Sequence, residues 1–427
     1  MWLFYQIVFL LLLVLAGPIL LIRRGRHYLK SIGGRLGAYQ GPIPKSPLWI
    51  HAVSVGEVAV ASTLIRSLPS DIPLLVTTIT PTGQEQAQKS LGDRATIAYL
   101  PFDIDFAIGR FLRRFRPSGL VLVEGDLWPL LLKRVGNQNL PVMVVNGRVS
   151  DHSFRRMHRL RPFLGPLFDH VSRFGMQTRE DAKRLESLEV PFERVEILGN
   201  LKFDSPAPAP LPEVESQLRA LAKDRDILIA GSTMPGEETA VLDAFGQIGG
   251  GESAMLVLAP RHPERWSQVE KLIQERGFRC LRRTELERSG PSPDVILLDT
   301  LGELASLYGI ALGSFVGGTL VPTGGHNPVE VAQHGSAVVV GPSMENFREI
   351  SNVFSAAEAW VRVRDAAGLA DVWRDWLENP AGARALGGRG QEVVYANRGA
   401  LERTLAFLRP LVDQVSRSGS ENLQTDR

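Results

Sequence analysis

Short apolar runs alternate with amphipathic stretches along most of the chain, and one proline-rich break divides them into two sets. Before the break, Leu48–Val53, Leu74–Thr78, Leu120–Val123, Val142–Val145 and Val195–Leu198 read as strands. After it, Ile227–Ala230, Met255–Ala259, Val295–Leu298, Ile310–Val316 and Ala337–Val340 do. Runs this short and apolar suit strands buried on both faces, and helices between them call for parallel pairing. The pattern therefore predicts doubly wound α/β units. The break, Ser205–Pro212, carries prolines at 206, 208, 210 and 212 and predicts a semi-rigid extended spacer. A chain of 427 residues has room for two such units. Ligands of this architecture bind beyond the carboxyl ends of the strands, so a cleft between two units is the expected site.

The net charge of +2 is a sum of two unlike halves. Residues 1–205 hold 26 Lys+Arg against 17 Asp+Glu, whereas residues 206–427 hold 22 against 29. The first acid is Glu57. Trp2–Ile22 carries no charge, and a helix of that length spans a bilayer core of about 30 Å. Arg23, Arg24, Arg26, Lys30 and Arg35 follow it, which places the body of the protein on the cytoplasmic side. Residues 1–22 are therefore expected to be an amino-terminal membrane anchor, with a buried core helix, which Gln6 and Pro18 would suit, as the other reading. Arginine clusters at 110–116 and 148–161 lie in the same half and suit an anionic lipid surface. No recognition motif for nucleic acid accompanies them. The single cysteine, Cys280, allows no intrachain disulfide, and no zinc-ligand spacing appears.

Several polar residues sit where a doubly wound fold puts its chemistry. Glu57 follows the first strand in WIHAVSVGEV. It can act as a proton acceptor or be an ordinary first-turn acid favoured by the helix dipole. Glu124 and Asp126 (EGDLWP) follow a later strand, and their bland reading is a helix amino-terminal pair. Asp103 and Asp105 mimic a metal-holding D-x-D pair, but nothing nearby completes such a site. Lys202 (GNLKFD) lies just before the spacer and can neutralise a phosphate, or be a surface lysine.

The second half carries the denser signal. AGSTMPGEE, Ala230–Glu238, opens a helix after a strand and predicts an oxyanion pocket. Arg261 follows the next strand and suits bidentate phosphate binding. In Gly313–Glu330, the pairs Gly317–Gly318 and Gly324–Gly325 are expected to leave bare backbone amides around an anion. Asn327 caps the following helix and Pro328 opens it. Glu330 serves either a capping box or a ribose diol. Amides for phosphate beside a carboxylate for sugar read as nucleotide binding.

The segments WIHAVSVGEV, TTITPTG, EGDLWP, VNGRVS, GNLKFD, PRHPER, DTLGEL and FVGGTLVPTGGHNPVE stand in this order between residues 49 and 330, and the likeness they carry covers about residues 1–410. In this the chain resembles the 3-deoxy-D-manno-octulosonic acid (Kdo) transferases. The resemblance implies a GT-B fold of two Rossmann-like domains and inverting transfer of Kdo from CMP-Kdo to a lipid A precursor. It also implies a place at the cytoplasmic face of the inner membrane, with no cofactor and no required metal. The expected division is 1–22 anchor, 23–204 acceptor domain, 205–212 linker, 213–410 CMP-Kdo domain and 411–427 disordered tail.

By the same resemblance Glu57 is the general base, and Glu124 and Lys202 stabilise the transition state. Pro260, Arg261, Leu301, Gly302, Glu303, Asn327, Pro328, Val329 and Glu330 bind CMP-Kdo. The chain departs from the family pattern at Gly125 and Asp126, at Met234 and at Val331. A transferase using a UDP-sugar and a non-catalytic membrane scaffold of the same fold are the other readings open at this point.

Overall fold

The computed structural model describes residues 2, 5–13, 15, 26–287 and 290–425. Leu48–His51 (β1) lies inside a parallel seven-stranded sheet with Leu74–Thr78 (β2), Thr96–Tyr99 (β3), Gly119–Val123 (β4), Val142–Gly147 (β5), Arg173–Met176 (β6) and Val195–Ile197 (β7), in the order β3-β2-β1-β4-β5-β6-β7. Side chains alternate between its faces. Leu48, Ile50, Val121 and Val123 pack on one side, and Trp49, Leu120 and Leu122 on the other. Both sides are covered, which is why these strands read as continuous apolar runs.

A second parallel sheet of seven strands comprises Asp226–Thr233 (β8), Ala254–Pro260 (β9), Cys280–Arg282 (β10), Val295–Leu297 (β11), Gly313–Val316 (β12), Ala337–Val340 (β13) and Val361–Arg362 (β14), ordered β10-β11-β9-β8-β12-β13-β14. All ten predicted strands are present. The four further strands, β3, β6, β10 and β14, are two to four residues long, and three of them are sheet edges. So brief a run carries too little periodicity to stand out.

The chain forms two compact units, residues 1–205 with 398–427, and residues 206–397. This corrects the expected boundary at 410 and the expected disordered tail. Ala400–Thr425 is a helix of the first unit, with Ala400, Phe407, Leu408, Leu411 and Val415 buried on the β1–β4 face. The Asp204 carboxylate accepts from the backbone N–H of Gly399 (2.8 Å) and Leu401 (3.0 Å) and so caps its start. Over β4 the approach is close: a Cβ on Gly119 would lie 2.4 Å from Leu411 Cδ1.

Within the spacer, Ser205 has extended φ and ψ of −55° and 131°, and Pro212 already begins a helix. Among the described residues no helix is long and apolar enough to cross a membrane. Much of the expected anchor, including residues 16–22, lies outside them. The described part of that segment is helical over residues 5–13, and the Tyr5 hydroxyl donates to Asp103 at 2.8 Å.

Candidate active site

All strands of each sheet run the same way, so the loops after them collect at one sheet edge. In the first unit, β1 leads through Ser54 into the Val55–Arg66 helix, with Glu57 in its first turn. Instead of pointing to solvent, Glu57 reaches back. Oε2 accepts from the Val53 backbone N–H at 2.8 Å, and Oε1 accepts from the Ser54 hydroxyl at 3.2 Å. Burial pushes this carboxyl up to about 7; those two hydrogen bonds oppose the rise, and the negative charges of Glu124 and Asp126 reinforce it.

Glu124 follows β4 in a left-handed conformation, φ 61°, with Gly125 also left-handed at 95°. A non-glycine residue is uncommon in that region, and in this conformation the side chain meets two cations. Lys202 Nζ donates to Oε1 at 2.9 Å and Arg148 Nε donates to Oε2 at 2.7 Å. The carboxylate is 9% exposed. Burial alone would raise it, but Lys202 and Arg148 hold it below the usual carboxylate range. Asp126 is shifted the other way, raised by burial and by the Glu124 charge.

The resulting edge holds one carboxyl able to change protonation near neutrality beside one locked in the ionised form, the arrangement that proton transfer requires. Asp103 and Asp105 lie elsewhere. Asp103 accepts from the backbone of Leu130 and Leu131, and Asp105 pairs with Arg134. No group of three metal-ligating side chains occurs among the described residues.

The second unit builds its edge from backbone. Pro260 ends β9 buried, and Arg261 beyond it is exposed, with its backbone N–H on Thr233. Asn327 Oδ1 accepts from Val329 N–H at 3.2 Å, and its Nδ2 donates to Glu330 Oε1 at 3.2 Å. Pro328 and Val329 are buried at the start of the short Val329–Ala332 helix. Burial raises the Glu330 carboxyl, against the Asn327 hydrogen bond and the Arg261 charge. Leu301 is 63% exposed beside Gly302, whose φ is 90°. Glu303 is held by Arg283.

The expected bare amides are not bare. Glu237, only 1% exposed, accepts from the backbone N–H of Met234 (2.8 Å), Gly318 (2.6 Å), Thr319 (2.9 Å) and Leu320 (2.8 Å). Gly324 N–H is likewise taken by Ser343, and Gly325 N–H by the Gly318 carbonyl. The chain's own carboxylate occupies the expected anion pocket, because buried amides must find acceptors.

The structure thus brings Glu57, Glu124 and Lys202 together in the first unit. It gathers Pro260, Arg261, Leu301–Glu303 and Asn327–Glu330 on the carboxyl edge of the second sheet. Three further residues carry little local signal. Arg148 looks like one of a basic cluster in the sequence, although its place just after β5 marks it. His326, whose Nδ1 lies 2.8 Å from the Gly317 carbonyl, sits in the glycine-rich loop, and Glu237 sits in the segment expected to form an oxyanion pocket.

Comparison with known proteins bears on the family and the fold. A family model described as 3-deoxy-D-manno-octulosonic-acid transferase matches residues 30–205. The 3-deoxy-D-manno-octulosonic acid transferase of Haemophilus influenzae is 35% identical over 97% of this chain and 100% of its own length. That of Bordetella pertussis is 33% identical over 88% and 90%. Among solved structures, the UDP-GlcNAc 2-epimerase of Neisseria meningitidis matches 85% of this chain and 99% of its own. Its TM-score is 0.59 at 12% identity, a likeness of fold. A glycosyltransferase from Rickettsia africae does so at 0.57 and 11%, over 86% and 99%.

Proposed function

The chain belongs to the Kdo transferase family, and from that premise we propose that it moves Kdo from CMP-Kdo to the lipid A precursor, lipid IVA, in lipopolysaccharide core synthesis. The observation that carries the proposal is the carboxyl pair of the first unit, Glu57 pushed up to about 7 and Glu124 held ionised by Lys202 and Arg148. The acceptor hydroxyl oxygen bonds to the anomeric carbon of Kdo with inversion. Its proton passes to Glu57, and the bond from that carbon to the phosphate oxygen breaks to release CMP. A base half ionised near pH 7 suits this task.

Glu124 supplies fixed negative charge for the positive charge that gathers on the sugar ring, and Lys202 keeps it ionised. Arg261, exposed at the end of β9, suits the departing phosphate, where negative charge builds. Asn327–Glu330 and the 301–303 turn serve the nucleotide.

Residues 1–22 attach the protein to the inner membrane, with its body on the cytoplasmic side. Exposed Ile7, Leu10, Leu11, Leu12 and Leu15 support this reading, as do the basic residues after Ile22. Deleting residues 1–22 should release the protein from the membrane fraction, and a truncated chain that stays there refutes the anchor.

The deciding experiment incubates purified protein with CMP-Kdo and tetra-acylated lipid IVA and weighs the product by mass spectrometry. The expected product is heavier by one or more Kdo residues. An unchanged acceptor, with transfer from a UDP-sugar instead, overturns the proposal.

A further inference from the structure

The turn after β11 is built from Asp299, Thr300, Leu301, Gly302 and Glu303, and both of its acids are committed to the segment after the edge strand β10. Arg283 donates from Nε to Glu303 Oε2 at 2.9 Å and from its terminal nitrogen to Oε1 at 3.0 Å. Thr300 adds its hydroxyl to Oε2 at 2.5 Å. At the other end of the turn, Asp299 accepts from the Thr284 backbone N–H at 3.0 Å and from its hydroxyl at 2.7 Å. The Arg283 and Glu303 side chains are each only 20% exposed. A forked, half-buried pair of this kind is stronger and more directional than a surface pair, and a lysine lacks the planar fork to replace it.

This leaves Glu303 with its main acceptor directions taken. What the turn offers a ligand is its own backbone at Leu301–Gly302 and the exposed Leu301 side chain. An edge strand of three residues would not hold such a turn still by packing alone. We infer that Arg283 is a positioning residue for donor binding: through Glu303 it sets the Thr300–Gly302 turn in the shape that receives the nucleotide. The inference rests on CMP-Kdo being the donor.

The test uses the full chain and four variants, Arg283→Met, Arg283→Lys, Glu303→Gln and the Arg283→Met/Glu303→Gln double. It reads CMP affinity by calorimetry, KM for CMP-Kdo against kcat, and melting temperature. Arg283→Met should weaken CMP binding and raise KM at least fivefold, with kcat within twofold of wild type. Arg283→Lys should fall short of full rescue. The double variant should lose no more than the worse single one, since both remove the same contact. If Arg283→Met fails to fold, the lysine variant, which keeps the charge and a long stem, decides by the same KM shift at unchanged melting temperature.

Wild-type CMP affinity in both Arg283 variants overturns the inference. So do additive losses in the double variant, which would place the Glu303 carboxylate on the nucleotide independently of Arg283. Wild-type protein that binds no CMP overturns the donor assignment itself and this inference with it.

Discussion

The two sheet edges spend their charged residues differently. In the first unit the acids stand as separate side chains with contrasting environments, Glu57 nearly alone with backbone and hydroxyl partners, Glu124 between two cations. In the second unit buried acids act as buckles. Glu237 gathers four amides, Glu238 binds Arg265 at 2.5 Å and Thr233 at 3.1 Å, and Glu303 holds Arg283. An acid that has to move a proton needs an environment that can go either way, whereas an acid that shapes a loop needs its lone pairs filled. The acidic excess of residues 206–427 is thus partly internal.

The comparison can be broken most decisively at Glu57. Glu57→Ala should lower transfer by about 10²–10⁴-fold, the usual contribution of a positioned base, while calorimetry shows CMP bound as in wild type. A variant that still transfers Kdo at the wild-type rate removes the first edge from the chemistry. On the other edge, Glu237→Gln puts an amide NH₂ against backbone donors. It should destabilise the protein by about 2–4 kcal/mol, seen as an earlier melting transition; unchanged melting would mean the amides find other acceptors.

Glu57 also makes two pH predictions. Because the base must be ionised, the rate should rise with pH through about 7. Glu124→Gln removes a like charge that raises Glu57, so the surviving activity should show that rise at lower pH. An unmoved limb would uncouple the two carboxyls. For stability the sign is opposite to that of most acids. A folded-state pKa above the unfolded value gives stability that is present below about 4.5 and lost as pH rises through about 7. Glu57→Gln should therefore stabilise the protein above pH 7 by about 1–3 kcal/mol, a gain that vanishes near pH 4 in denaturant titrations. The smallest expected effect is at the cap: Asp204→Ala should cost about 1–2 kcal/mol by loosening the start of the carboxyl-terminal helix, measurable as faster amide exchange around Gly399–Leu401.

Ten strands, the parallel α/β class and the position of each candidate just after a strand were legible from local pattern, because burial on two faces dictates apolar runs. The carboxyl-terminal helix shows where pattern stops. Ala400, Phe407, Leu411 and Val415 form the buried stripe of a helix whose end the sequence pattern assigns to a disordered tail, and nothing local says which sheet it will cover; it returns to the first. The glycine-rich loop fails in the same way. Its glycines were visible and its turns are real, with Gly318, Gly324 and Gly325 all at positive φ, but the occupant of its amides comes from far along the chain.

By itself, then, the sequence determined the order of elements, the two apolar-cored units and which acids, cations and glycines fall at strand ends, all of which follow from interactions within a few residues. Tertiary structure alone decided pairing. Glu124 meets Arg148 across 24 residues and Lys202 across 78, and Glu237 meets Gly318 across 81. Those partners, together with burial, separate a carboxyl that titrates near neutrality from one that stays charged and one that holds a loop. The physical reason is that desolvation and Coulomb interaction depend on distance in space, which sequence spacing does not report.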